Sequence, residues 1–144
     1  MNTQTNDMAA KGGKSWFERF GDYWYQASLP RVLQYLRNEA TFQYEGMIND
    51  LESPMAEELE DVIAAQLPVD QGYLLKTSEV LLPAMARRLH ADLADMDEQG
   101  RKTLESQCER CNQVGRCWLA MRRGDSAATC AAFCPNADDL ITVQ

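Results

Sequence analysis

The sequence predicts an all-α protein. Apolar residues recur at three- and four-residue steps, prolines and capping residues punctuate those runs, and no stretch alternates for long enough to make a sheet. With 144 residues the chain has room for one modest domain, and no internal repeat divides it. It is organised as a flexible tail over 1–14, a helical region over 15–98 and a cysteine-rich segment over 99–144.

The tail is polar and carries a Gly-Gly pair. "SWFERFGDYWYQAS" follows, with Ser15 as a cap and Glu18 three residues on. Trp16, Phe17, Phe20, Tyr23, Trp24 and Tyr25 recur at helical spacing but cover more than one face. One reading is a helix buried against the rest of the domain. The other is a docking helix for a larger protein partner, presenting Trp16, Phe17, Phe20 and Trp24. Six aromatics within ten residues exceed what one face buries in a domain of this size, which supports docking.

Pro30 suits the first turn of a second helix running to Leu51, with Val32, Leu33, Leu36, Ala40, Tyr44, Met47 and Ile48 as its stripe. Ser53-Pro54 then reads as a cap and first position, opening a third helix through Leu59, Val62 and Ile63 that stops at Pro68. "PVDQG" is a turn. A further helix covers 78–97, its first turn marked by Pro83, with Met85, Leu89, Leu93 and Met96 on one side and His90 flanking them. After "DEQG" the pattern resumes in "RKTLESQCERC".

Charge excludes some classes of function. The formal net charge of −8 argues against general nucleic-acid binding. No apolar stretch reaches the roughly 20 residues of a membrane span. The N-terminus has no apolar export core, so the sequence predicts a cytoplasmic protein with reduced thiols. Asp50, Glu52, Glu57, Glu58, Glu60 and Asp61 form an acidic run, whereas Arg101, Lys102, Arg110, Arg116, Arg122 and Arg123 surround the cysteines.

Five cysteines in a reducing compartment favour metal or redox chemistry over a disulfide framework. Cys108 and Cys111 are one turn apart on a predicted helix, with Leu104 on the same face, so their sulfurs can converge. "NQVG" loops to Cys117, which opens "CWLAMRRG", a helix ended by Gly124; Trp118 and Leu119 would shield the site from water. A fourth thiolate comes from Cys130 or Cys134. Cys134 is preferred because Cys-Pro at a turn recurs in ferredoxin-type cluster loops. Asn136 would cap a last helix containing Leu140 and Ile141.

Four thiolates suit a [4Fe–4S] cluster or structural zinc. Zinc ribbons present two short-spaced pairs, and here only Cys108–Cys111 is such a pair, so the cluster is the first expectation and zinc the alternative. The nearby arginines would stabilise the reduced form of a negative site, or else merely solvate a short helix. A single histidine excludes a paired di-iron motif, and there is no phosphate-binding loop or dinucleotide fingerprint. No catalytic residues of the chain's own are found.

The C-x2-C-x5-C run is similar to the cysteine core of the WhiB-like iron–sulfur regulators and to the cluster loop of helix-hairpin-helix DNA glycosylases. Both groups hold a [4Fe–4S] cluster with this run and one distant cysteine. The likeness covers only Cys108 to Cys117, and the distant cysteine precedes the run in those groups but follows it here. The glycosylase catalytic residues and the regulators' basic tail are missing, so the resemblance implies the cluster and not the activity. A wider pattern, C-x2-C-x5-C-W-L followed by F-C-P-N-A, looks like a small uncharacterised bacterial domain family. It implies that Cys108, Cys111, Cys117 and Cys134 act as one set, with Cys130 outside it.

The expected architecture is therefore a small helical domain with a C-terminal cysteine-rich metal- or cluster-binding segment. Three roles follow: a small electron-transfer subunit or partner of a larger redox enzyme, a redox- or oxygen-sensing regulator, or a zinc-binding structural adaptor.

Overall fold

Three prolines expected to mark helix boundaries lie inside helices. The computed structural model describes residues 16–142, apart from the side chains at 16, 17, 18, 20, 22 and 26. The expected tail and the Ser15 cap lie outside the described residues. Helix α1 spans Trp16–Glu39 and passes through Pro30 instead of restarting there. Leu29 and Leu33, four residues apart on one face, are buried on either side of this exposed proline, so packing holds the axis while solvent can take over the missing backbone bond.

The chain bends at Ala40 and continues as α2, Thr41–Ile48. The Ser53-Pro54 start is also displaced: α3 is Glu57–Asp70 and includes Pro68. Ser53 does not cap it, because its hydroxyl and N–H are both given to Asp50. Beyond α3, the N–H groups of Tyr73, Leu74 and Leu75 converge on the Asp70 carbonyl, and Gly72 supplies a φ of 80° for the tight turn. The Asp70 carboxylate is fully buried and takes hydrogen bonds from Arg37 and from Tyr44 Oη.

Helix α4, Thr77–Arg88, contains Pro83 in its interior, with Leu81, Leu82, Met85 and Ala86 buried on both sides of it. It ends well before the expected 97. Ala91 N–H reaches Ala86 O and His90 N–H reaches Arg87 O, a Schellman ending in which His90 takes the left-handed position at φ 62°. His90 is thus an exposed cap residue and not a helix position. A 3-10 turn at Leu93–Asp95 leads to α5, Glu98–Glu109, capped by the Asp97 carboxylate on Gly100 N–H. Then come α6 (Val114–Arg123), ended by Gly124 at φ 73°, α7 (Ala127–Ala131) and α8 (Ala137–Thr142).

No strand occurs among the described residues, so the fold is all-α. Helix α3 packs along α6, and α4 packs against α5, α6 and α7, while α1 lies on α2 and α3. At the α3–α6 crossing, a Cβ on Gly115 would overlap the Ala64 carbonyl oxygen, so only glycine permits this approach. Trp118 is fully buried in the core, its Nε1–H donating to Ile48 O at 2.8 Å. No helix among the described residues is long and apolar enough to cross a membrane.

Candidate functional site

Helix ends and turns bring the cysteines together. Cys108 sits in the last turn of α5, whereas Cys111 lies beyond that helix, contrary to the expectation that one helix carries both. The helix fails after Glu109 because Cys111 N–H bonds back to Cys108 O at 3.2 Å, curling the chain. Gln71 Nε2 donates to the same Cys108 carbonyl at 2.9 Å, tying the turn to the end of α3. Cys117 lies in the first turn of α6, where Gly115 lets the helix approach α3. Cys134 follows α7, its N–H bonded to Cys130 O at 3.1 Å just before Pro135.

Cys108, Cys111, Cys117 and Cys134 all line one small cavity of about 20 Å³. Leu81, Leu82 and Met85 of α4, with Val114 and Phe133, give it an apolar wall. Cys130 is not part of that wall; it is fully buried, with Sγ 4.0 Å from Asp125 O. Trp118 and Leu119, expected to cover the site, are likewise absent from the wall, and Phe133 takes that role.

Polar groups reach the sulfurs from two sides. Gln113 N–H donates to Cys111 Sγ at 3.2 Å, and Asn136 Nδ2 lies 3.5 Å from Cys108 Sγ. Burial pushes the Cys108 thiol up to about 12, the neighbouring Cys134 and Cys111 add to this, and the Asn136 amide opposes it. Burial also raises Cys117, with Cys134 and Cys108 contributing, and raises Cys134 against hydrogen bonds from the Asn136 and Ala137 N–H groups. In this setting thiolates need a compensating positive charge, as a metal supplies.

The four cysteines share a wall without forming a ready-made metal site. Among the described residues no group of three or more His, Cys, Asp or Glu side chains is gathered as one metal ion requires. Four cysteines beside an apolar wall are a donor set of the soft-ligand type.

The expected arginine surround is mostly elsewhere. Arg122 and Arg123 bind Glu60 and Asp61 on α3. Arg116 does make a contact at the wall, its guanidinium 4.7 Å from the centre of the Phe133 ring. Sequence reasoning missed Thr77 and Phe133 as wall residues and read Asn136 only as a cap. Asn136 does precede α8, but its side chain turns to Leu104 O and Cys108. Of the expected docking residues, Trp24 is exposed beside exposed Tyr23 and Tyr25, while the side chains of Trp16, Phe17 and Phe20 lie outside the described residues.

Comparison with known protein families, with characterised proteins and with solved structures finds no match for this chain.

Proposed function

We propose that this chain is an iron–sulfur protein in which Cys108, Cys111, Cys117 and Cys134 hold a [4Fe–4S] cluster. It serves as a small electron-transfer subunit or partner of a larger redox enzyme in the cytoplasm. The observation that carries this reading is that these four cysteines, drawn from three separate segments, line one apolar-walled cavity. A single zinc would need all its sulfurs about 2.3 Å from one point. The C-x2-C-x5-C run offers one short-spaced pair where a zinc ribbon has two, which favours a cluster, whose potential is set by burial and by hydrogen bonds to sulfur. When bound, the cluster supplies one-electron redox chemistry; the chain contributes the ligands, the Gln113 and Asn136 donors and the apolar exclusion of water.

The exposed aromatics Tyr23, Trp24 and Tyr25 on α1 support docking to a larger partner through the segment that also holds Trp16, Phe17 and Phe20. Anaerobic purification followed by metal and sulfide analysis tests the proposal. Iron and acid-labile sulfide in comparable amounts, with reversible reduction, are expected. Stoichiometric zinc without sulfide would replace this reading with the structural adaptor, and oxygen-triggered cluster loss with a change of partner would replace it with the sensor.

A further inference from the structure

Buried polar atoms need partners, and a hydroxyl left without one is destabilising. Among the described residues Thr77 Oγ1 is such an atom: Thr77 is 4% exposed, and its hydroxyl has no hydrogen-bond partner. Thr77 also lines the cavity bordered by the four cysteines. It is the first residue of α4, so the positive end of a 12-residue helix meets the same cavity. The rest of the α4 contribution to the wall, Leu81, Leu82 and Met85, carries no donor.

We infer that Thr77 is a positioning residue for the bound group, its hydroxyl donating a hydrogen bond to sulfur as a second donor beside the Asn136 amide. This rests on the iron–sulfur reading above. Electron-rich sulfur accepts such a bond, and the bond strengthens as the group gains an electron, so it raises the reduction potential. A purely structural threonine predicts no such effect, because its methyl and hydroxyl would only fill space.

The test is the midpoint potential of the anaerobically purified full chain, measured with iron and sulfide content and helical signal. Thr77→Val, which keeps the shape and removes the donor, should keep the cluster and lower the potential. Thr77→Ser should restore the wild-type value. An unchanged potential in cluster-loaded Thr77→Val overturns the inference and leaves the iron–sulfur reading standing. Wild-type protein with neither iron nor sulfide overturns both. If Thr77→Val does not load, Thr77→Ser decides: a wild-type potential supports the hydroxyl's role and a lowered one overturns it.

Discussion

Arg122 Nε donates to Glu60 Oε2 across 2.8 Å, joining the last turn of α6 to the first turn of α3. The same guanidinium donates to the carbonyls of Asp50 and Ser53 and lies 5.1 Å from the centre of the Trp118 ring. One side chain, 3% exposed, thus holds the α2–α3 linker, α3 and α6. Truncating it leaves Glu60 buried and partly unpaired, although Arg123 still reaches Oε1. Arg122→Met should cost about 3 kcal/mol in urea unfolding, and Arg122→Lys should not restore it, lacking the fork that serves three acceptors. A double-mutant cycle with Glu60→Gln should show coupling above about 1 kcal/mol.

That pair shows what the sequence conceals. An acidic run and a basic run are both plain in it, but their partnership spans 62 residues and depends on how α3 crosses α6. The all-α class was readable because helical periodicity is local. The boundaries were less so, since Pro30, Pro68 and Pro83 were given their local meaning while burial on both sides carried the helices through. The C-x2-C-x5-C run and the later Cys134-Pro135 were plain in the sequence, and the fold sets all four cysteines on one wall, whereas Thr77 was not legible, because nothing near it in sequence points to a site.

Asp50 gives the linker an acid-sensitive joint. Hydrogen bonds from the Ser53 hydroxyl and from the Glu52 and Ser53 N–H groups lower its pKa to about 2. The unfolded chain then binds more protons than the native one between pH 4 and 2, so stability falls as pH falls through that window. Above it the contribution is fully present. Urea midpoints for Asp50→Asn should lie below wild type at pH 6, and the gap should close as pH approaches 2.

Gly115 sets the approach of α6 to α3. A Cβ there meets the Ala64 backbone carbonyl, which no rotamer change can move. Gly115→Ala should destabilise by about 2–3 kcal/mol despite alanine's better helix propensity. Thermal unfolding would reveal it, and a gain in stability would show that the crossing is looser than described.

His90 occupies the left-handed cap of α4 with a full side chain. Glycine removes the Cβ conflict at that position, so His90→Gly should stabilise by up to about 1 kcal/mol. Denaturant unfolding measures this. A loss of stability instead would assign the imidazole a contact that outweighs its backbone strain.

The cysteines divide by position, and substitution should divide them by effect. Cys108, Cys111, Cys117 and Cys134 share a cavity wall, so serine at any one removes a thiolate for which a hydroxyl is a poor substitute. Each of these four variants should lose iron and sulfide together on anaerobic purification. Cys130 is buried outside that wall, near the Asp125 carbonyl. Cys130→Ser should therefore keep the cluster, at a cost of about 1–2 kcal/mol for a buried hydroxyl, offset if it donates to Asp125 O. The contrast with Cys134 is informative because the two stand four residues apart and compete for one role. Were Cys130→Ser to lose iron while Cys134→Ser retained it, the fourth ligand would be Cys130, and α7 would have to turn its buried face toward the cavity.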